Sequence, residues 1–196
     1  MRKPIVLMAV IALAVSLSVA APSQGNASVA ISINPFATIV PLLTGGIGLS
    51  GSVEFTMGGA MSLYIPVDFY SWSWGTGGSS YGWSYIGVGA MLHYYLADGS
   101  FNFGKADPLG GLWAGAGAGV QIWSGNYWGT TWSSLVINIP LEAGYKWFFS
   151  GNNGFYLEPF VGYNIAFGLG TSTWGTGWST PTYGGVMYGV NLGFAF

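Results

Sequence analysis

The feature that most constrains this chain is an alternation of side-chain character with a period of two. In residues 186–196, apolar or aromatic side chains occupy every second position, and mostly small or polar residues lie between them. Successive side chains of a β-strand point to opposite faces of a sheet, whereas a helix repeats its apolar positions every three to four residues. The pattern therefore predicts a strand whose two faces meet different surroundings.

Eight segments of the chain share this alternation and predict eight strands. The seven clear segments are residues 47–55, 61–70, 86–94, 112–122, 135–146, 157–165 and 186–196. The first segment, residues 29–39, is weaker because Pro35 interrupts it, and proline suits a strand edge or a bulge. Segments of about 10 to 12 residues match the length of a tilted strand that crosses a membrane.

The scarcity of charge decides which face of these strands is outside. Only 5% of the residues are charged, against about 25% in soluble domains. A soluble barrel with its apolar face inside would have an exterior of Gly, Ser and Asn with unusually little charge. With the apolar face against lipid, the few polar groups fill the lumen, and a sheet in lipid must close on itself. We expect an all-β, up-and-down antiparallel transmembrane barrel of eight strands in residues 28–196.

Residues 1–27 have the pattern of a secretory signal peptide with a short extension. Arg2 and Lys3 precede an apolar run at residues 5–19, and small residues predict cleavage after Ala20 or after Ala27. A membrane-spanning anchor is the alternative, but the run is shorter than the ~20 residues that a span needs. We expect a cleaved signal peptide and an exported barrel domain.

The connections between the predicted strands differ between the two ends of the barrel. We expect residues 56–60, 97–109 and 150–154 on the periplasmic side. We expect the loops at residues 73–82, 124–133 and 168–183 on the outer side, with a short connection at residues 41–46. Short periplasmic turns and longer outer loops are typical of outer-membrane barrels.

The chain resembles the small eight-stranded outer-membrane proteins of the OmpA, OmpX and OmpW class. The resemblance covers residues 28–196 and is most specific in the final strand, Leu192-Gly193-Phe194-Ala195-Phe196. It implies location in a bacterial outer membrane, contact with outer-membrane lipid and insertion by the outer-membrane assembly machinery. The signal for that machinery would be the alternate apolar residues Val190, Leu192, Phe194 and Phe196.

We expect no enzymatic activity, cofactor or metal. Barrel enzymes of this size place a His with a Ser or an acid near the outer rim, but the only His, His93, lies near the inner end of its strand. The predicted outer loops hold no Asp, Glu or His, so general-base catalysis has no starting group there. A single His also disfavours a transition-metal site. Without Arg2 and Lys3, the chain has two lysines and six acidic residues. This charge balance disfavours binding to nucleic acid.

Six charged or titratable side chains fall on the predicted inner face. They are Glu54, Asp68, His93, Glu142, Lys146 and Glu158. Because buried charges must be paired, this set predicts either a hydrogen-bonded plug or a gated proton or ion path. Pairing Phe149 with Phe155 would put Lys146 opposite Glu158 and predicts an ion pair between them.

The outer loops are uncharged and rich in tryptophan. The tripeptide Trp-Gly-Thr begins at Trp74, Trp128 and Trp174. These residues form either an aromatic girdle at the membrane interface or a surface that binds a glycan, a lipid or a surface protein. We therefore expect a structural or surface-interaction role. The alternative, an OmpW-like channel or carrier for small apolar molecules, is favoured by aromatic residues predicted to point inward near the outer mouth: Tyr70, Trp72, Tyr85 and Trp123.

Overall fold

A computed structural model describes residues 28–76, 79–103, 109–127, 130–149, 153–169 and 182–196. The predicted signal peptide, Trp128, Trp174 and most of the predicted loop at residues 168–183 lie outside this described part. The elements are β1 (Val29–Ile33), α1 (Pro35–Leu43), β2 (Gly46–Gly58), β3 (Met61–Thr76), β4 (Ser79–Ala97), β5 (Gly111–Tyr127), β6 (Thr130–Phe148), β7 (Gly154–Leu169) and β8 (Thr182–Ala195).

The eight strands form a closed antiparallel barrel in which each strand pairs with its neighbours along the chain. β1 closes the barrel by pairing with β8, from Ala30 opposite Ala195 to Ile33 opposite Leu192. The predicted all-β, eight-stranded, up-and-down barrel is confirmed. Among the described residues, no helix is both long enough and apolar enough to cross a membrane.

The two faces of the barrel differ as the alternation predicted. On β4, Ile86, Val88 and Leu92 are exposed, whereas Met91 and His93, at the intervening positions, are buried. The same alternation holds on the other strands, so the barrel exposes its apolar face outward. We call the end with the β2–β3, β4–β5 and β6–β7 connections the lower end, and the opposite end, with α1, the upper end.

The prediction of a single strand over residues 29–39 is wrong. β1 ends at Ile33, and α1 occupies residues 35–39 of that segment and the first half of the predicted connection at residues 41–46. Asn34 caps the helix, since its Oδ1 accepts hydrogen bonds from the backbone N–H of Phe36 at 3.1 Å and of Ala37 at 3.2 Å. Pro35 follows the cap at the first helical position, where the missing N–H costs nothing.

The helix α1 lies inside the upper mouth of the barrel. Gly48 occupies an inward position of β2, and a Cβ there would lie 2.6 Å from Pro41 Cγ and closer still to the carbonyl oxygen of Ala37. On the other side, a Cβ on the inward Gly189 of β8 would lie 2.9 Å from Asn34 Nδ2. The missing side chains of these two glycines leave room for the helix against the inner wall.

Four strands continue beyond the predicted ends. β3, β4, β5 and β6 contain 16, 19, 17 and 19 residues, so most of residues 73–82 and 124–133 is strand rather than the predicted loop. The period of two continues there, but Trp and Tyr now point inward and Ser, Thr, Asn and Gly point outward. Aromatic residues favour strands. The pairing of β3 to β6 therefore continues above the last outward apolar residues.

Replacing Gly48 by Ala should displace α1, because the new methyl group would overlap the helix backbone. We expect a loss of about 1–3 kcal/mol in the free energy of unfolding. Gly185→Ala is the matched control, since a Cβ at this inward position of β8 meets nothing within 4 Å. Guanidinium unfolding in detergent micelles, followed by tryptophan fluorescence, compares the two variants. Equal stability of both would contradict the placement of the helix.

Candidate functional site

The lower half of the lumen holds a buried charged cluster that consists of Glu54, His93, Lys146 and Glu158. These side chains come from β2, β4, β6 and β7, and each is 0 or 1% exposed. They therefore meet in the lumen from both sides of the barrel, with Lys146 and Glu158 on neighbouring strands and Glu54 on the opposite side. The sequence placed all four near the same end of the barrel, and the structure brings them into contact.

Lys146 is the central cation of the charged cluster. Its Nζ forms an ion pair with Glu54 Oε2 and lies 3.5 Å from Glu158 Oε1. The nitrogen also lies 3.2 Å from the hydroxyl of Tyr95 and 4.7 Å from the ring centroid of Tyr156. The predicted pairing of Lys146 with Glu158 is present, and Phe149 N donates to Phe155 O at 3.0 Å as that register requires. Glu54, on the opposite side of the lumen, is the closer partner.

Glu54 accepts hydrogen bonds from several strands at once. Its Oε1 accepts from Ser62 Oγ and, at 2.8 Å, from the hydroxyl of Tyr95. His93 Nδ1 lies 3.2 Å from the same oxygen. Because a carboxylate can only accept, this geometry places a proton on Nδ1. A buried carboxylate with this many donors is held in one position.

Aromatic rings and an amide complete the charged cluster. The ring of His93 stacks between Tyr64, with centroids 4.6 Å apart, and Trp113, at 3.9 Å. Asn191 Nδ2 donates to Glu158 Oε2 at 3.1 Å. Tyr64, Trp113 and Asn191 were not among the predicted site residues, although each occupies an inward position that the alternation could have identified.

The charged cluster is a poor metal site while Lys146 is present. Glu54, His93 and Glu158 do offer ligand atoms within 4.8 Å of one another. However, the ammonium of Lys146 contacts both carboxylates, so a metal ion would have to displace a charge that already neutralises them. The arrangement suits a fixed ionic plug.

Apolar side chains pack at the lower end of the barrel. Ala30, Leu109, Tyr156 and Ala195 form one buried group, and Phe148 packs against it. This group and the charged cluster together fill the lower part of the lumen. Among the described residues, this packing is that of a hydrogen-bonded plug.

Asp68 and Glu142, which were predicted to belong with the other charges, lie higher in the lumen. Asp68 pairs in register with Ser50 and Gly87, and Glu142 pairs with Gly115 and Gly162. Both side chains are half-buried. Among the described residues, no ion pair links either of them to the charged cluster.

The inner face of β3, β4 and β5 forms an aromatic wall at the upper end. The rings of Tyr70 and Tyr85 stack with centroids 4.8 Å apart, and Tyr85 stacks on Trp123 at 4.6 Å. One step higher, Trp72 stacks on Trp83 at 4.5 Å. The aromatic residues that the sequence predicted to point inward therefore form a continuous surface, to which Trp83 is an addition.

The outward face changes character at the same height as the aromatic wall. One row of paired residues is apolar and consists of Leu49, Phe69, Ile86, Ile122 and Leu135. The next row toward the upper end consists of Ser71, Ser84, Ser124 and Ser133 on β3 to β6, and exposed Ile47 continues this row on β2. Below this boundary the outward face is apolar and the lumen holds the charged cluster among aromatic and small residues. Above it the outward face is polar and the inward face is aromatic.

The helix α1 exposes an apolar stripe on the side away from β2. Phe36, Ile39, Val40 and Leu43 are 50 to 80% exposed, and their spacing puts them on one side of the helix. That side is opposite Ala37 and Pro41, which pack on β2. Trp72 Nε1 donates to Thr44 Oγ1 at 2.9 Å and ties the end of the helix to the aromatic wall.

The remaining predicted site residues are only partly described. Trp74 lies on β3 above the aromatic wall and is 52% exposed, whereas Trp128 and Trp174 are outside the described residues. The proposed assembly residues Val190, Leu192 and Phe194 lie on the outward face of β8. The carbonyl oxygen of Phe196 accepts hydrogen bonds from Ser28 N at 2.9 Å and Val29 N at 3.1 Å, beside the closing pair of strands.

Comparison with known proteins adds no relative, because no protein-family model, curated protein or solved structure matches this chain.

Replacing Lys146 by Met should destabilise the barrel, because Glu54 and Glu158 would lose their shared cation. Breaking a buried ion pair costs about 3–5 kcal/mol. Double-mutant cycles should give a larger coupling energy with Glu54→Gln than with Glu158→Gln, because Glu54 is the closer partner. Glu142→Gln serves as the control with weak coupling. Equilibrium unfolding in detergent provides the energies, and additivity in all three cycles would contradict the ionic plug.

Proposed function

We propose that the protein is a non-enzymatic, integral outer-membrane barrel that binds a small, uncharged apolar molecule in its upper mouth. The observation that carries this proposal is the pair of apolar surfaces at the mouth. The exposed stripe of α1 lies on one side, and the aromatic wall lies on the other. The charged cluster closes the lumen below them.

The dimensions of the outward apolar face support insertion in a membrane. On β5 this face runs from Leu112 to Ile122, which at about 3.3 Å per residue is roughly 33 Å along the strand. A tilt of about 40° reduces this to roughly 25 Å, the height of the apolar band of an outer-membrane barrel. The predicted signal peptide and the resemblance of the final strand favour the outer membrane, with the upper end outside the cell.

The absence of charge from the upper part of the sequence supports an apolar ligand. Residues 34–48, 70–85, 121–134 and 168–185 contain no Asp, Glu, Lys, Arg or His. An ionic ligand would lose its hydration there without gaining a counter-charge. Indole and aliphatic surfaces instead gain about 25 cal/mol for each Å² of apolar area that a ligand covers.

The filled lower lumen favours binding over passage straight through the barrel. A ligand that crossed to the lower end would have to separate Lys146 from its carboxylates. A role as a receptor or carrier, in which the ligand enters and leaves at the upper end, requires no such step. Such a receptor or carrier differs from an open channel for small apolar molecules, which is the other form of the alternative given in the sequence analysis.

A second candidate is recognition of a surface partner through the tryptophan-rich outer segments. The exposure of Trp74 at the top of β3 favours it, since exposed aromatic residues are frequent anchors of binding surfaces. Candidate partners are a glycan, a lipid or a surface protein. Trp74→Ala should weaken adhesion of cells to such a partner, measured against cells that carry the unmodified barrel.

The double substitution Ile39→Asn, Leu43→Asn tests the apolar mouth. Both side chains would be covered by the ligand, so their loss should weaken binding of a fluorescent naphthylamine probe by at least about tenfold. Phe103→Asn is the matched control, since Phe103 is 71% exposed near the lower end. Fluorescence titration of the folded proteins in detergent measures the affinities. Unchanged affinity in the double variant, or equal losses in both proteins, would refute the proposed site.

A further inference from the structure

A second surface at the upper end is lined by hydroxyl-bearing side chains and is distinct from the apolar mouth. The outward faces of β3 to β6 surround a shallow depression of about 660 Å³. Its hydroxyl-bearing residues include the row Ser71, Ser84, Ser124 and Ser133, with Ser73 and Thr131 one step higher.

The depression lies on the outer side of the strands, and the aromatic wall lies on the inner side. Trp72, Trp83 and Trp132 also border it, but the alternation turns their rings inward, so they contribute backbone to its floor. The small side chains of the serines leave space above that floor. Ser84 Oγ and Ser124 Oγ are 3.0 Å apart and form one hydrogen bond, while Ser73, Ser124 and Ser133 are exposed.

The lining of the depression selects for a neutral ligand with many hydroxyl groups. It offers hydroxyl and amide groups that both donate and accept hydrogen bonds, and it contains no charged residue. A phosphate would require Arg or Lys for strong binding. A purely apolar ligand would leave the serine hydroxyls without partners. A sugar ring satisfies these groups and fits the available volume.

The position of the depression identifies the source of the sugar. The serine row is directly above the apolar row that ends with Ile86, Ile122 and Leu135, and the two rows belong to one continuous outward surface. A lipid whose acyl chains lie against the apolar row would have its headgroup at the serine row. A sugar on that lipid would reach the depression without leaving the membrane.

We propose that this depression binds the uncharged sugar headgroup of a glycolipid in the outer leaflet. The acyl chains of the same lipid pack on the apolar rows below. This inference rests on the membrane insertion in the proposed function, but it is independent of ligand binding in the mouth.

The test uses the full barrel in nanodiscs that contain equal amounts of a monoglycosyl diacylglycerol and a phosphatidylcholine with the same acyl chains. Native mass spectrometry of the released protein counts the lipids that remain bound. We expect at least about tenfold more retained glycolipid than phosphatidylcholine. The double variant Ser124→Val, Ser133→Val should lose this preference, because valine removes the hydroxyls and narrows the depression while favouring a strand.

Ser100→Val is the matched control, because Ser100 is exposed in the connection at the lower end, and it should retain the preference. A photoactivatable headgroup analogue should crosslink the unmodified protein within β3 to β6, which tests the site even where a variant fails to fold. Equal retention of both lipids, or crosslinks confined to other strands, would overturn the proposal. Full displacement of the retained glycolipid by the free monosaccharide would overturn the assignment of the ligand to a membrane lipid.

Binding of the naphthylamine probe, measured on the same nanodiscs, distinguishes the mouth from the depression. Loss of the glycolipid preference with normal probe binding would count against the depression alone. Failure of the protein to enter the nanodiscs would instead contradict the membrane insertion on which both proposals rest.

Discussion

Closure of the barrel by β1 is the constraint on which the rest of the structure depends. This strand has only five residues, yet it pairs with β2 on one side and with β8 on the other. Without it, both neighbours would present unpaired backbone N–H and C=O groups, which lipid cannot satisfy. Closure also fixes the register, and a shift by one residue would turn every inward side chain outward. The charged cluster and the aromatic wall therefore depend on this short pairing.

The outward face of the strands changes from apolar to polar along the barrel, which divides it into a lower and an upper half. In the lower half the apolar face is outside, and Lys146 holds two buried carboxylates inside. In the upper half the aromatic rings are inside, and the serine row is outside. The lower half supplies a membrane-compatible surface and a closed floor. The upper half supplies an apolar mouth and a polar outer surface, which are the two surfaces on which our binding proposals rest.

The period-two alternation was sufficient to predict eight strands, their two faces and the shared depth of Glu54, His93, Lys146 and Glu158, although not the strand ends. It could not identify Glu54 as the closest partner of Lys146, because the contact crosses the lumen rather than a hairpin. It also missed α1, since Phe36, Ile39 and Val40 extend an apolar segment whose helical character depends on the Asn34 cap and on Gly48 opposite. The upper ends of β3 to β6 were predicted as loops because their outward residues are polar. The roles of Trp128 and Trp174, which lie outside the described residues, remain predictions.

The central claim is that the boundary between the apolar row and the serine row is the upper edge of the membrane. The chain contains no cysteine, so single spin labels can be placed at Ile122 and Ser124, two outward positions of β5. Accessibility to oxygen and to a water-soluble nickel complex would be measured in lipid bilayers. We predict that the label at residue 122 is relaxed mainly by oxygen and the label at residue 124 mainly by nickel. Preferential relaxation of both labels by nickel would contradict the proposed membrane position.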